Sequence, residues 1–325
     1  MTFDDLALIT IAPRDLPTYA ALFVLGIGFV FGTLWGSFLN VVIARVPMGQ
    51  SVVSPRSRCP SCGTQITAVD NIPILSWLVL RAKCRSCGAG ISIRYPFVEF
   101  LGGVAGAAAV ARFGIGLPAL ELFVFILALV AISFIDLDTF LVPPSLTWVL
   151  IGGGLGFGLL RWLLLGPEVA GGLASGDVVD RLIGGLGAGL LLWAVIVVST
   201  LVIRRLQPGR IPDGETAMGY GDIWILAGIG ANIGWQLMPL ALFLASLIGS
   251  VVGLAAKYSG KLKNRAPIIL PGEDPWTPMD DAVPFGPFLA LGGLLAAFFG
   301  NAIYAKLLPV MGLNDGGILL QSLGG

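Results

Sequence analysis

Two aspartates at the ends of apolar segments are the residues of this chain best suited to chemistry. Asp222 follows a Gly219-Tyr220-Gly221 turn and precedes a long apolar run, while Asp136 ends another such run. An ionisable side chain costs about 2.5–3.5 kcal/mol at the centre of a membrane helix, so it usually serves a function. Two carboxyls that share a site can divide the work of hydrolysis, because the protonated one polarises a carbonyl while the ionised one activates water.

Each aspartate also has a plainer interpretation. Asp222 could be a helix N-cap, and Asp136 could simply end its span at the membrane interface. Asp138 shares that second interpretation, and residues two apart on a helix point in roughly opposite directions, so Asp136 and Asp138 cannot face one partner. We predict Asp136 and Asp222 as the catalytic pair. Gly219, Gly221 and Asp138 would form the supporting loop, where the glycines allow a substrate backbone to approach.

The four cysteines of the chain form a second group with chemical potential. They make two C-x2-C pairs, each followed by glycine, at Cys59, Cys62, Cys84 and Cys87. This spacing is typical of a four-cysteine zinc site, which is structural because no coordination position stays open. Redox dithiols or disulfides are the alternative, and a reducing cytoplasmic location argues against them. The chain contains no histidine, which excludes schemes that pair serine or cysteine with histidine.

The segments that must position these groups are apolar helices. The chain has 325 residues, of which 56% are hydrophobic and 12% charged, and its long apolar runs can cross about 30 Å of hydrocarbon. We predict an all-α fold, a polytopic transmembrane bundle of about eight spans with a cytoplasmic four-cysteine loop. The predicted spans are residues 19–44, 96–112, 117–136, 145–165, 182–203, 223–234, 236–256 and 285–306.

Clusters of lysine and arginine predict the orientation of the bundle. Basic residues concentrate in loop 45–95 and in the loops after the fifth and seventh spans, and such loops face the cytoplasm. Asp136 and Asp222 then lie at the same, cytoplasmic face. The predicted organisation is a periplasmic N-terminal tail (1–18), a first transmembrane helix (19–44), a cytoplasmic zinc-binding loop domain (45–95), a transmembrane core (96–306) and a C-terminal tail (307–325).

Through most of its length the chain resembles the prepilin peptidase family, the type IV leader peptidases, which are bifunctional aspartyl proteases and N-methyltransferases of the bacterial inner membrane. The resemblance rests on several motifs taken jointly, since a lone Gly-x-Gly-Asp would not be specific. The motifs are residues 36–47, 54–63, 71–77, 84–87, 91–99, Ile135-Asp136-Leu137-Asp138, Met218-Gly219-Tyr220-Gly221-Asp222 and 284–289.

The resemblance implies cleavage of the leader of type IV prepilins or type II secretion pseudopilins. Cleavage would follow a glycine on the cytoplasmic side, and the new N-terminus would be methylated from S-adenosylmethionine. Core 96–306 is then the aspartyl peptidase, with Asp136 and Asp222 as its catalytic residues, and loop 45–95 is linked to methylation. The partners would be these substrates and the bilayer, with no nucleic acid. The candidate residues of the methyltransferase region are Asn40, Arg45, Arg56, Arg94 and Glu99.

The chain departs from the family pattern at three positions. Trp224 lies two residues after the second aspartate, where the family commonly has a lysine. Pro143-Pro144 replaces the proline-aspartate that closes the first aspartate motif, and Ala82 replaces the glycine that is usual two residues before the third cysteine. Two other classes of protein remain as alternatives. Paired membrane aspartates also mark ion- or proton-coupled transporters, although carriers place such groups near the midplane. A scaffold that docks a partner through a zinc loop is the third possibility.

Overall fold

The computed structural model describes residues 13–165, 178–211, 214–259, 267–269, 271 and 282–310. Over these ranges it contains α-helices, short 3-10 turns and two isolated β-bridges, and no strand. The α-helices, numbered in chain order, are α1 Thr18–Arg45, α2 Leu75–Val79, α3 Arg94–Phe113, α4 Leu117–Thr139, α5 Pro144–Leu165, α6 Val178–Leu206, α7 Gly221–Tyr258 and α8 Gly286–Val310.

Two compact units divide the described residues. The first unit holds residues up to Ile135 together with positions 269 and 271, so it contains the four cysteines. The second unit runs from Asp136 to Ile268 and resumes with residues 282–310, so it contains both predicted catalytic aspartates. Parts of the predicted tails, residues 1–12 and 311–325, lie outside the described residues, as does most of loop 264–284.

Seven of the described helices are long and apolar enough to cross a membrane, which confirms the all-α transmembrane fold. The predicted boundaries agree within a few residues except at two places. The sixth and seventh predicted spans are joined in α7, and α6 begins at Val178 instead of residue 182. Seven membrane-length helices therefore stand where we predicted about eight spans.

Helix α7 reverses direction at Gly234, whose backbone is non-helical with φ 79° and ψ 172°. The contacts with α8 demonstrate the reversal, because Ile225 and Gly249 both lie beside the first turn of α8. On the far side of the turn, Leu237 packs against Gly300 near the other end of α8. Only glycine adopts such a positive φ easily. The sixth and seventh predicted spans are thus the two arms of a helical hairpin, and the predicted break between residues 234 and 236 coincides with its turn.

Glycines bring α1 and α3 of the first unit into close backbone contact. Gly32 faces the backbone of Gly102, and Gly28 faces that of Gly106, with no room for a Cβ atom at any of these contacts. Small residues at four-residue spacing permit such approach between membrane helices. The packing of α1 on α3 fixes both ends of the cysteine loop, since the loop connects these two helices.

A buried charged group lies at the end of the second unit that is remote from the aspartates. Arg161 on α5 and Asp180 and Arg181 on α6 are at most 9% exposed, and Arg181 donates a 2.6 Å hydrogen bond to the carbonyl of Gly154. The predicted spans left Asp180 and Arg181 in the connection between residues 165 and 182, which is wrong because both residues lie in the first turn of α6. A buried charge needs partners, and the carbonyl of Gly154 supplies one for Arg181.

Candidate active site and four-cysteine module

Asp136 lies in the last turn of α4, the most buried of the membrane-length helices. Its side chain is 4% exposed, whereas Leu137 and Asp138 are exposed. The opposite directions expected for Asp136 and Asp138 are therefore found. Only Asp136 faces the interior, where a carboxylate can meet a second buried group.

Asp222 lies in the first turn of α7, which begins at Gly221 with Tyr220 in the N-cap position. The alternative that Asp222 is the helix cap is therefore wrong. Its side chain is 6% exposed, and a negative charge in the first turn of a helix is favoured by the helix dipole. The start of α7 thus favours a charged carboxylate at Asp222, and the oxygens of Asp222 do not serve as the helix cap.

The two aspartates and the start of α8 meet within the second unit. The carboxyl groups of Asp136 and Asp222 are both buried here and lie within range of a charge–charge interaction. The backbone N–H of Gly286 donates a 2.8 Å hydrogen bond to Oδ2 of Asp136. A Cβ atom at Gly286 would lie 2.6 Å from the same oxygen, so only glycine permits this contact.

Gly286 is a site residue that the sequence reasoning missed. The signal was present, because Pro284-Phe285-Gly286 opens the last apolar segment and was among the motifs quoted for the resemblance. Glycine at the first position of a helix gives no hint of its partner, however. The contact with Asp136 depends on how three helix ends pack, which no local pattern encodes.

The two glycines of the Gly-x-Gly-Asp motif have different environments. A Cβ atom at Gly221 would lie 2.6 Å from Cβ of Val142, so this glycine is required for packing. A Cβ atom at Gly219 would meet nothing nearer than Oδ2 of Asp222, at 3.8 Å. The expectation that both glycines leave space for a substrate backbone therefore fits Gly219 and does not fit Gly221.

The loop that precedes Asp222 is attached to the end of α6. Thr200, which is buried, accepts a 3.0 Å hydrogen bond from the backbone N–H of Ala217. Arg204 donates a 2.9 Å hydrogen bond to the carbonyl of Glu215. These contacts fix the approach of the chain to α7, and we did not predict them.

Trp224 points away from the carboxylates and contacts Trp148 of α5. The two ring centroids are 5.9 Å apart, with the rings tilted by 42°, and both side chains are at least half exposed. Aromatic pairs at this separation attract one another, and tryptophan is common at membrane–water interfaces. The residue that replaces the family's lysine is accordingly part of an aromatic surface.

The four-cysteine module, residues 57–91 of the first unit, is built from two matching knuckles. In the first knuckle, the turn around Cys59 and Cys62, the backbone N–H of Cys59 donates a hydrogen bond to the carbonyl of Thr64. The N–H of Gly63 donates to the carbonyl of Cys59, and both distances are 2.9 Å. The same bonds recur 25 positions later, at 2.8 Å between Cys84 and Ala89 and at 2.9 Å from Gly88 to Cys84. Each glycine has a positive φ, 70° and 72°. We did not predict this duplication, whose signal in the sequence is Cys-x-Ser-Cys-Gly-x-x-Ile.

The sulfur positions fit a tetrahedral metal ion. All four Sγ atoms lie within 4.8 Å of one another, and those of Cys59 and Cys87 are 3.9 Å apart. A tetrahedral site with metal–sulfur bonds of about 2.3 Å needs sulfurs about 3.8 Å apart. Hydrogen bonds with Thr64 lower the pKa of the Cys62 thiol to about 6, and backbone hydrogen bonds at Cys87 and Ser86 lower that of Cys84. At Cys87 a backbone hydrogen bond with Ala89 lowers the pKa, but side-chain hydrogen bonds with the other cysteines outweigh it and raise the pKa to about 11. A low pKa favours the thiolate that binds metal.

Three of the candidate methyltransferase residues make structural contacts within the first unit. Asn40 donates to the carbonyl of Tyr95 at 3.1 Å, and Arg45 donates to that of Pro55 at 2.7 Å. Oε2 of Glu99 accepts a 2.7 Å hydrogen bond from the backbone N–H of Ile74. These contacts join the loop to the ends of α1 and α3.

The two remaining candidates, Arg94 and Arg56, have different environments. Arg94 lies over the ring of Phe134, 5.0 Å from its centroid, while Arg56 is exposed. The five residues are thus distributed over the loop and its attachments to α1 and α3.

The fold and the site together define a polytopic membrane enzyme with a carboxylate pair suited to hydrolysis and a module suited to metal. Residues 30–113 match the bacterial peptidase A24 N-terminal domain, and residues 123–254 match the type IV leader peptidase family. The chain belongs to the type IV leader peptidase family. The cysteines fall within the first match and both aspartates within the second.

Several relatives named prepilin leader peptidase/N-methyltransferase support this assignment. The protein of Aeromonas hydrophila is 36% identical over 299 residues, covering 85% of this chain and 90% of the relative. That of Burkholderia pseudomallei (strain K96243) is 33% identical over 324 residues, covering 91% and 93%. That of Myxococcus xanthus is 34% identical over 329 residues, covering 86% and 91%. No solved structure matches the chain.

These findings confirm the resemblance and the prediction of an enzyme, a membrane peptidase with methyltransferase activity. The transporter and scaffold alternatives are set aside by this family membership. Which residues act, and on what substrate, is a separate question.

Proposed function

We propose that this protein cleaves the leader of type IV prepilins or type II secretion pseudopilins after a glycine and then N-methylates the new N-terminus from S-adenosylmethionine. The observation that carries the peptidase is the buried pair Asp136 and Asp222, with the Gly286 N–H on Oδ2 of Asp136. The printed names of the relatives support the substrate class.

Asp136 and Asp222 act as an aspartyl dyad in this proposal. One carboxyl group is protonated and donates a hydrogen bond to the scissile carbonyl, while the other is ionised and takes a proton from the attacking water. The hydrogen bond from Gly286 holds Oδ2 of Asp136 in a single direction. The open space at Gly219, beside Oδ2 of Asp222, accommodates the substrate backbone. Collapse of the tetrahedral intermediate then passes a proton to the leaving amine.

The methylation step is assigned to the region of the cysteine loop, residues 45–95, and its attachments to α1 and α3. S-adenosylmethionine, when bound, supplies the methyl group. The contacts of Asn40, Arg45 and Glu99 support a role in holding the loop at the ends of these helices. The loop would position the freed N-terminal amine, which acts as the nucleophile.

The four cysteines hold a structural Zn2+ in this proposal, with Cys59, Cys62, Cys84 and Cys87 as ligands. The support is the mutual distance of their sulfurs, all within 4.8 Å. Such a site orders a loop that has little hydrophobic core of its own. The ion is assigned no part in the chemistry.

We place the protein in the bacterial inner membrane as a multi-pass protein, with the carboxylates facing the cytoplasm. The support for this orientation is the basic loop 45–95 and the position of Asp136, Asp222 and Gly286 at one end of their helices. A substrate would then present its basic leader on the same side.

The test uses purified protein in lipid nanodiscs and a peptide with a basic leader, a glycine, then phenylalanine and an apolar stretch. Mass spectrometry follows the cleaved and the methylated products. Asp136→Asn and Asp222→Asn should each lower cleavage by about 10⁴-fold or more, the scale expected when a catalytic group is lost. Asp138→Asn, a matched change two positions away, should retain a measurable rate. An inert Asp138 variant beside active Asp136 and Asp222 variants would reverse the assignment.

A further inference from the structure

The cysteine loop carries a concentration of exposed apolar side chains. Leu75 is 60% exposed, Leu78 57% and Val79 75%, and they lie in the short helix α2 at positions i, i+3 and i+4. That spacing puts them on one face of the helix. Val69 and Ile72, just before α2, are exposed as well. An apolar face of this kind on a soluble loop would be unfavourable in water.

A hydrogen bond to a membrane-length helix fixes the depth of α2. The backbone N–H of Ile74, directly before α2, donates to Oε2 of Glu99 at 2.7 Å. Glu99 is the sixth residue of α3 and lies about 8 Å along the helix axis from its start. Helix α3 has 20 residues and is about 30 Å long, no more than the hydrocarbon thickness it must cross. Glu99, and α2 with it, therefore lies within about 8 Å of the hydrocarbon boundary, the depth at which interfacial amphipathic helices lie.

Two further contacts keep α2 in a defined position on the module. Nε1 of Trp77 donates a 3.0 Å hydrogen bond to the carbonyl of Ile91, which follows the second knuckle. Ile74 itself has φ 62°, an unfavourable value for a β-branched residue. The surrounding contacts hold it there, and they set the direction in which Leu75 and Leu78 point.

Basic residues follow α2 directly. Arg81 and Lys83 are exposed and lie within four residues of Val79. A short apolar face bordered by lysine and arginine is the arrangement that binds anionic membrane surfaces. A lipid surface accordingly complements this face in both polarity and charge.

We propose that α2 is an interfacial membrane anchor of the four-cysteine module. Leu75, Leu78 and Val79 insert into the leaflet beside the first turns of α3, and Arg81 and Lys83 bind anionic lipid headgroups there. The anchor holds the module against the bilayer, independently of the peptidase chemistry.

The test replaces leucine throughout the full-length chain by photo-leucine, an isosteric diazirine analogue, and irradiates the protein in nanodiscs of phosphatidylglycerol. Within residues 45–93 the only leucines are Leu75, Leu78 and Leu80, so lipid adducts on this peptide report on α2. Exposed Leu34 of α1 is the positive control, and fully buried Leu129 of α4 is the negative control. We expect an adduct yield on α2 close to that of Leu34 and about tenfold above that of Leu129.

Absence of adducts on α2 while Leu34 reacts, or crosslinks from α2 to another segment of the chain, would overturn the proposal. Reaction at Leu129 would show that the labelled chain has not folded, and a photoreactive analogue placed only at position 78 then gives the answer. Arg81→Gln with Lys83→Gln should lower the yield in phosphatidylglycerol and leave it unchanged in phosphatidylcholine. Equal yields in both lipids for the unmodified chain would contradict the part of the proposal that concerns anionic headgroups.

Discussion

In the four-cysteine module the functional side chains come from two short segments of sequence, whereas in the carboxylate site they come from the ends of three helices. Each knuckle forms its own turn through local hydrogen bonds, and its second cysteine, Cys62 or Cys87, is exposed. Asp136, Asp222 and Gly286 are far apart in the sequence and meet only in the folded protein, where both aspartates are buried. The arrangement of the cysteines is thus determined by local turns that suit a shared ligand, while the arrangement of the carboxylates is determined by the packing of helices.

This difference predicts how each region should respond to substitution. A structural zinc ion contributes folding free energy directly, so losing a ligand should disorder the module. A carboxylate pair held by helix packing should tolerate that loss and respond instead to small steric changes at the helix contacts. The zinc content and the cleavage rate of variants in the two regions can therefore be compared directly.

The largest effect should follow removal of one sulfur ligand. Cys84→Ser should release the metal, since binding at structural four-ligand sites is worth about 10–16 kcal/mol in zinc-finger peptides. Metal analysis and a methylation assay in nanodiscs should both show the loss, while peptide cleavage falls far less. Equal loss of cleavage and methylation would show that the two regions are not separable, and a well-folded natural protein without zinc would refute the metal assignment.

A steric change at the carboxylate site should produce the opposite pattern. In Gly286→Ala the new Cβ would lie 2.6 Å from Oδ2 of Asp136, which displaces the carboxylate or breaks its bond to the backbone N–H. Misplacement by about 1 Å can cost a hundredfold in rate, so we expect cleavage to fall by about that factor with full zinc content. Gly187→Ala on α6 is the control, because nothing lies within 4 Å of its Cβ position.

A smaller effect, in the stabilising direction, is expected at Ala82. Its φ is 59°, in the left-handed region that costs a non-glycine residue about 1 kcal/mol. Ala82→Gly should therefore retain zinc several-fold longer against a chelator. Ser57 occupies the matching position of the first knuckle and does not have a positive φ. A similar gain in Ser57→Gly would contradict this explanation.

The smallest effect should come from the ion pair at the surface of the module, in which the Arg85 side chain is 60% exposed and that of Asp70 12%. Nη2 of Arg85 lies 2.6 Å from Oδ1 of Asp70, and this guanidinium lowers the pKa of Asp70. The pair therefore stabilises the loop above the ordinary pKa of aspartate, about 3.9, and its contribution disappears as the pH falls through the lowered pKa. Exposed pairs contribute little, so Asp70→Asn should speed amide hydrogen exchange of residues 66–72 only slightly at pH 7. A large increase that persists at high salt would argue against an electrostatic origin.

The sequence predicted well what depends on local pattern. Apolar runs predicted the helices, C-x2-C-Gly spacing predicted the sulfur cluster, and residue spacing separated Asp136 from Asp138. The residues it missed make contacts between distant segments, namely Gly286 on Asp136 and Thr200 on the loop before Asp222. Such contacts follow from the packing of helices, and small residues such as glycine or threonine carry no signal of their eventual partner.

The predicted open space at Gly221 is wrong, and so is the alternative in which Asp222 caps its helix. Gly221 leaves no space for a substrate because Val142 packs against it, and the helix start assigns the cap to Tyr220. Hydropathy also divided α7 into two spans, whereas the chain reverses within one element at Gly234. The residue that allows the reversal was within one position of the predicted turn.

The duplicated knuckles have a topological consequence. Neither knuckle contains enough sulfurs to complete a metal site, so an ion bound by all four would join them and close the residues between into a loop. The entropy lost in closing a loop depends only weakly on its length, which allows this connection to hold a helix of its own. Helix α2 is that insertion, and the hydrogen bond from Ile74 to Glu99 ties the loop to α3 at a third point. Metal loading would therefore restrict how far α2 can move from the bilayer.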